Sequence, residues 1–307
     1  MGTPEFSVPM LEAIHKSDYE LVGVVTAEDK PAGRGRKLKK SAVKVYAESQ
    51  NIPILQPKNL KSEDFLKDLK ALNPNCFVVV AFRMLPKQVW DLPEYGTFNL
   101  HASLLPQYRG AAPINWAIIN GETETGLTTF FIDEKIDTGQ IIDHVSLPIQ
   151  ETDNVEDVYT KMLPRGVDLV MSTLDKIADN SLQTIPQNQV EELKPAPKLT
   201  KDNTRINWNE TAKDIYNLVR GLSPYPLAWS ILSHGNEEIN CKISKVQYSV
   251  EDHRYNIGHV IQKNNSFYVA VKNGIIEILE LKLSGKRLMK TKELLNGFEI
   301  NQPAKMI

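Results

Sequence analysis

The sequence predicts an α/β chain: a doubly wound, mostly parallel sheet of Rossmann-like type, followed by a small OB-like β-barrel. Three observations carry this. Short apolar runs alternate with amphipathic helical stretches through the first two-thirds of the chain. A proline-containing connector follows, with Pro186, Pro195 and Pro197. Beyond it the pattern changes to short strands punctuated by Gly and Asn. The length of 307 residues suits two domains, expected at 1–185 and 208–307 with a linker at 186–207.

The elements follow in order. Ser7 and Pro9 mark a first helix, since proline fits an early helical position that needs no donor. Residues 21–26 (LVGVVT) and 76–82 (CFVVVAF) read as strands, nearly all apolar, as a sheet covered on both faces requires. Between them Ser41 opens the helical SAVKVYAESQ and Ser62 opens SEDFLKDLKAL. Strands separated by helices imply right-handed crossovers and parallel neighbours. Residues 97–101 (TFNLH), 127–132 (LTTFFI) and 140–149 continue the sheet, and a long helix over 155–179 carries Pro164, where a kink is predicted. An amphipathic helix at 211–222 leads into SPYPLAW, and strands then recur at a spacing typical of a small closed barrel.

Composition narrows the class. Apolar residues make up 41% and charged residues 24% of the chain, ordinary values that argue against disorder. Cys76 and Cys241 are far apart and form no Cys/His cluster, so no structural metal or disulfide framework is expected. Cys76 sits in an apolar run, where a small buried hydrophobe is the default. No stretch approaches the roughly 20 apolar residues of a membrane span, and no signal peptide opens the chain. A cytoplasmic protein with no membrane partner is expected.

The informative segment is GTFNLHASLLPQYRGAAPINWAIINGETETGLTTFFIDEKIDTGQII, residues 96–142. Asn99 and His101 are two apart on a strand and share a face. The strand ends at once, and open α/β sheets bind ligands at such carboxyl ends. Asp137 follows in the turn DEKIDTG. Singly, each has an ordinary reading: a hydrogen-bonded strand-end His, a turn Asp before Thr-Gly. Jointly they fit acyl transfer to an amine, which needs donors aimed at a developing oxyanion. It also needs a group that takes the amine proton and returns one to the leaving nitrogen. A carboxylate beside an imidazole serves that purpose and favours its charged form.

Asn99, His101 and Asp137, with SLLPQYRG at 103–110 between them, resemble the signature of the folate-dependent formyltransferases. The resemblance spans roughly 1–297 and thins in the barrel. It implies that these three residues are catalytic. Asn99 and His101 would stabilise the tetrahedral oxyanion, and Asp137 would relay the proton. It implies 10-formyltetrahydrofolate as co-substrate, held around Ser103, Leu104, Leu105, Pro106, Leu85 and Asp133, with no metal. MGTPEFSVPML, DKPAGRGRKLKKSAVK, GAAPINWAIINGETETG, KLTKDNTRINW and SPYPLAW are similar to the branch acting on methionyl initiator tRNA in translation initiation. Where that branch has a small-residue stretch such as AYG, this chain reads AFRMLP at 81–86, which alters the expected pterin contacts of Arg83 and Met84. The rival readings are a 10-formyltetrahydrofolate hydrolase, a formyltransferase of sugar-nucleotide amines, and an RNA-binding protein with a relic site. The enzyme is expected to act as a monomer.

Residues 30–44 hold Lys30, Arg34, Arg36, Lys37, Lys39, Lys40 and Lys44 and no acidic residue. PAGRGRK, with two glycines and a proline, is expected to form neither helix nor strand, and it lacks the spacing of a phosphate-binding P-loop. A solvated loop is the plain reading. The resemblance implies instead that Arg34, Arg36, Lys37, Lys39 and Lys40 contact the tRNA acceptor arm. Lys282, Lys286, Arg287, Lys290 and Lys292 form a second basic cluster, either a polar face or an RNA contact. Finally, the family begins with a short apolar strand ahead of the Gly-Thr-Pro turn, absent before Met1. That strand is central in a doubly wound sheet, so a start a few residues upstream of Met1 is expected, the alternative being that another segment or water fills the slot.

Overall fold

The structure, a computed structural model, describes residues 1–32, 37–187, 192–263, 265–300 and 303–307. The chain divides into two compact units. Met1–Gly110, Thr125–Leu147 and Thr160–Pro195 form the first; Ala111–Glu124, Pro148–Tyr159 and Ala196–Ile307 form the second.

In the first unit a 3-10 turn at Glu5–Ser7 leads into α1 (Val8–Lys16), with proline in its first turn. β1 (Val24–Val25) is followed by a ribbon of β2 (Lys30–Ala32) and β3 (Lys37–Lys39), then α2 (Ala42–Ser49) and β4 (Ile54–Leu55). Ser41 caps α2 by accepting from Lys44 N at 3.0 Å. Next come α3 (Glu63–Ala71), β5 (Phe77–Val80), α4 (Lys87–Trp90) and β6 (Thr97–His101). β1 pairs in parallel with β4, and β5 in parallel with β6. After α5 (Pro113–Ile119), an element of the second unit, β7 (Glu124–Phe131) runs antiparallel to β6, and β8 (Ile141–Pro148) completes the order β5-β6-β7-β8. α6 (Val155–Ala178) continues through Pro164.

Both sheet faces are covered, which explains the near-continuous apolar strands. Val24 packs with Leu11, Val43 and Ala47 beneath α1 and α2. Val25, its neighbour on the opposite face, packs with Phe65, Leu69 and Val89 of α3 and α4. The strand expected over 21–26 is only two residues long, because only Val24 and Val25 find a ladder partner in β4. On its other side β1 meets Met1 and Gly2 rather than β5. The Met1 amine donates to Val78 O at 2.6 Å, Val80 N donates to Met1 O at 2.9 Å, and Gly2 N donates to Val25 O at 3.1 Å. The slot where the family's first strand was expected is thus paired at Met1 and Gly2. Beside them lies a cavity of about 610 Å³ lined by Val22, Gly23, Asn75 and Cys76 among others.

The second unit is built on α7 (Ala212–Gly221), whose cap Thr211 accepts from Asp214 N. Seven strands follow: β9 (Ala228–His234), β10 (Glu237–Val250), β11 (Val260–Lys263), β12 (Ser266–Val271), β13 (Gly274–Leu283), β14 (Met289–Lys290) and, after α8 (Thr291–Leu295), β15 (Ala304–Met306). They pair antiparallel in the order β11-β12-β13-β10-β9-β15, with β14 added to β13. A bridge from His259 to Lys305 brings the two ends together, so the barrel nearly closes. The long β10 shifts register around Lys245, a bend that closure requires. The core holds Trp208, Leu232, Ile243, Phe267 and Ile276. Trp208, half apolar and half donor, places its Nε1 on Ser230 Oγ at 2.8 Å.

Burial pushes the thiols of Cys76 and Cys241 up to about 12, so both stay protonated and inert at neutral pH. Among the described residues no helix is long and apolar enough to cross a membrane.

Candidate active site and basic ribbon

β6 lies between β5 and β7, with Asn99 opposite Val79 on one side and Phe130 on the other. This central seat fixes the strand, and with it the face that Asn99 and His101 share. His101 is buried and stands edge-on to Phe130, ring centroids 6.5 Å apart. Asn99 is half-buried, and its side-chain amide takes no partner among the described residues.

The loop after β6 folds back over the strand end. Ser103 Oγ donates to Gln107 O at 2.6 Å. Thr128 Oγ1 donates to Ser103 O at 2.7 Å and accepts from Leu105 N at 3.2 Å. The Leu105-Pro106 peptide is cis, and Tyr108 adopts a φ of 59°. The Tyr108 carbonyl lies 2.8 Å from His101 Nε2. A carbonyl only accepts, so Nε2 carries the proton in this contact.

The turn between β7 and β8 supplies the carboxylate. Asp133 Oδ1 shapes its tip, accepting from Lys135 N at 3.0 Å and Thr138 Oγ1 at 2.8 Å. Asp137 sits in the left-handed region at φ 56°. Its Oδ2 accepts from Gly110 N at 2.9 Å and stands 3.8 Å from His101 Nδ1. That is ion-pair range but too long for a direct hydrogen bond. At Gly139 an added Cβ would lie 1.7 Å from Phe131 O, so only glycine lets the turn return this close to β7.

The structure therefore joins Asn99, His101 and Asp137 at one strand end, with Ser103, Leu104, Leu105 and Pro106 in the covering loop and Asp133 in the turn. Ser103 and Leu105 are buried, while Leu104 and Pro106 are half-buried. Leu85 is placed differently: its side chain packs in the core with Val25, Leu60 and Val89. Arg83 turns aside to donate to the carbonyls of Lys58, at 3.1 Å, and Pro57, and Met84 is exposed. Sequence reasoning missed Thr128, whose hydroxyl bridges loop and strand, and Gln187, whose amide reaches Asp137 O and Gly139 O. Neither carries a local signal, since each acts on residues far off in sequence. Among the described residues no group of three or more His, Cys, Asp or Glu is placed to hold a metal ion.

The basic segment corrects one expectation. PAGRGRK was expected to form no strand, yet Pro31 and Ala32 pair with Leu38 and Lys37 in the β2-β3 ribbon. A two-stranded ribbon consists of edges only, where proline costs no inner ladder bond. Arg34 and Arg36 lie outside the described residues. Lys37 and Lys39 belong to β3, and Lys39 is exposed. Lys40 is held by Glu48 at 2.7 Å, and Lys44 by Asp29 at 2.7 Å, Asp29 also accepting from Gln56. In the barrel Arg287 pairs with Glu293 at 3.1 Å, and Lys286 lies 5.2 Å from the centre of the Phe298 ring. Lys282 and Lys242 stand opposite one another across β13 and β10.

Fold and relatives together define a transferase of one-carbon groups. The chain belongs to the formyl transferase family: the description "Formyl transferase" matches residues 1–174, and "Formyl transferase, C-terminal domain" matches 198–299. It is 52% identical to the methionyl-tRNA formyltransferase of Flavobacterium johnsoniae, over 100% of this chain and 97% of that protein. It is 49% identical to the methionyl-tRNA formyltransferase of Bacteroides thetaiotaomicron, again over 100% and 97%. Among solved structures it is similar to WlaRD, a sugar 3N-formyl transferase studied with dTDP and 5-N-formyl-THF. The TM-score is 0.65 at 25% identity, over 93% of this chain and 97% of that one.

Proposed function

We propose that the enzyme transfers the formyl group of 10-formyltetrahydrofolate to the α-amine of methionine esterified to initiator tRNA. The observation that carries this reading is the approach of His101 Nδ1 to Asp137 at 3.8 Å, at the end of the strand that bears Asn99. Relatives of about half-identical sequence over the full length support tRNA as acceptor. The sugar formyltransferase is more distant. WlaRD's study with a formyl-folate supports the donor.

The geometry suits the chemistry. The free amine attacks the formyl carbon, forming a C–N bond and a tetrahedral oxyanion. The Asn99 amide, with no partner among the described residues, is available to donate to that oxygen. His101 already spends Nε2–H on Tyr108 O, so its second N–H, on Nδ1 in the charged form, faces the gap beside Asp137. Asp137 receives the proton released by the attacking amine and passes it, through water, to the folate nitrogen as the C–N10 bond breaks. Ser103, Leu104, Leu105, Pro106, Leu85 and Asp133 would line the folate, with Leu85 contributing through its backbone. Arg34, Arg36, Lys37, Lys39 and Lys40 would meet tRNA phosphates, which separate cations can serve without a fixed cage. No step in this sequence calls on a metal.

Incubation with 10-formyltetrahydrofolate and charged initiator tRNA tests the reading. Formylmethionyl-tRNA should accumulate in equal measure with tetrahydrofolate. Free formate released without tRNA would identify a hydrolase instead, and formylation of a sugar-nucleotide amine in preference to tRNA would overturn the acceptor.

A further inference from the structure

We propose that Gln187 and Arg109 are positioning residues: Gln187 holds the backbone of the Asp137 turn from outside, and Arg109 holds Gln187. The proposal rests on the catalytic reading of Asp137 given above and extends it to two residues that touch no reacting atom.

The carboxylate of Asp137 is fixed by Gly110 N, but a carboxylate is only as well placed as its backbone. That backbone is in the left-handed region, at φ 56°. For a residue with a Cβ this conformation is strained and persists only where the surroundings impose it. Within the turn itself, the tip is tied by Asp133 to Lys135 and Thr138. The carbonyl of Asp137 is held from elsewhere: Gln187 Nε2 donates to Asp137 O at 3.0 Å and to Gly139 O at 2.8 Å. The amide's oxygen is engaged as well, accepting from Arg109 Nε at 3.1 Å and Arg109 Nη2 at 2.5 Å.

All four hydrogen-bonding positions of the Gln187 amide are thus used, two donated and two accepted. The residue type follows from this. A glutamate would set carboxylate oxygens against two carbonyls, and a lysine would set an ammonium against the guanidinium. Arg109 is the neighbour of Gly110, whose N–H holds the carboxylate. Loop 103–110 therefore grips Asp137 twice, directly through Gly110 and indirectly through Arg109 and Gln187. A misplacement of about 1 Å at a catalytic group costs on the order of a hundredfold in rate, so a clamp on this turn belongs to catalysis rather than to folding.

The test measures kcat, the KM for each substrate and the melting temperature of Gln187→Met, Gln187→Glu and Arg109→Lys. Gln187→Met is repeated in the Asp137→Asn background. Gln187→Met should lower kcat by about 10–100-fold with both KM values within about twofold. Gln187→Glu should do at least the same damage, and Arg109→Lys less. In the Asp137→Asn background the same change should cost under about threefold, because residues acting as one unit are far from additive. A kcat near wild type in Gln187→Met overturns the proposal, as does an equal fold-loss in both backgrounds. So does a loss explained by a lowered melting temperature in all three variants. If Asp137→Asn alone keeps full turnover, the proton relay fails and the clamp falls with it. If Asp137→Asn is impaired and Gln187→Met is not, only the clamp fails.

Discussion

The turn carrying Asp137 and the ribbon at 30–44 belong to one compact unit but handle charge in opposite ways. In the turn, Asp137, Asp133, Gly110, Thr138 and Gln187 form hydrogen bonds of 2.8 to 3.0 Å that tie down its backbone and one oxygen of the Asp137 carboxylate. In the ribbon, cations stand on two short strands and Lys39 is open to water; beyond it Lys40 meets Glu48 at the surface, whereas Lys44, paired with Asp29, is largely buried. The difference follows from what each region is proposed to meet. A developing oxyanion of known position is best served by groups already in place, because preorganised dipoles cost nothing to reorient. A polyanion presenting many phosphates is served by adaptable charges whose binding releases counterions.

The largest effect should come from the rigid region. If Asn99 and His101 are the oxyanion donors proposed above, Asn99→Ala and His101→Ala should each lower turnover by on the order of 10²–10³, the usual cost of one such donor. Asp137→Asn keeps the shape and removes the proposed base, so activity should fall at least as far while thermal unfolding is unchanged. Single-turnover assays at saturating substrates measure the chemical step directly. Near-normal turnover in Asp137→Asn would falsify the relay.

Gly139→Ala comes next and probes the turn without touching a charge. Its Cβ would meet Phe131 O at 1.7 Å, so the turn must move or β7 must yield. Overpacking of this kind costs about 1–3 kcal/mol, and the displacement should carry Asp137 with it. Both the melting temperature and kcat should drop together. A stable, fully active variant would mean that the turn has more freedom than its packing implies.

The same contrast explains what was legible in the sequence. TFNLH gave β6 with its bounds because two buried strands flank it, and its polar members, Asn99 and His101, stand out against an apolar pattern. Ser41, expected to open its helix, caps it by accepting from Lys44 N, a local bond, whereas Ser62, expected to open the next, stands at the cap without a side-chain bond. Contacts closed over long separations were not legible. Thr128 holds Leu105, and Gln187 lies in a connector that by composition reads as linker. The strand at 21–26 was overestimated because an apolar run supplies faces, whereas a ladder also needs a partner along its length. The β2-β3 ribbon was missed for the converse reason: Pro and Gly argue against an inner strand but not against an edge.

In the basic segment 30–44 the effects should be smaller and salt-dependent. Arg34→Ala should raise the KM for charged tRNA roughly tenfold, the worth of a charge-assisted hydrogen bond of about 1.5 kcal/mol. Folate KM should not change. The slope of log KM against log salt should fall by about one for each phosphate that the variant no longer neutralises. A tRNA KM indifferent to salt, or equal damage to folate binding, would remove residues 30–44 from the RNA surface.

The smallest effect sharpens the comparison most. Glu48 holds Lys40 at 2.7 Å, and its hydrogen bond keeps that ammonium above its ordinary pKa, so the pair is intact throughout the neutral range. Both side chains are about half exposed, at 48% and 40%, which places the pair among those that contribute little to stability. Glu48→Gln should therefore leave the melting temperature nearly unchanged. It should also release Lys40 and remove a negative charge beside the ribbon, a change that a polyanion would feel at low salt and lose at high salt. If Lys40 meets tRNA, the tRNA KM should fall about twofold at low ionic strength and return to the wild-type value as salt rises. The Lys40→Gln change should move it the other way. A KM unaffected by either substitution would leave Lys40 as a solvated partner of Glu48 and confine the RNA contact to other cations of the ribbon. In the turn of Asp137 a comparable gain should be absent, since Asp137, Gly110 and Gln187 already hold one another in place.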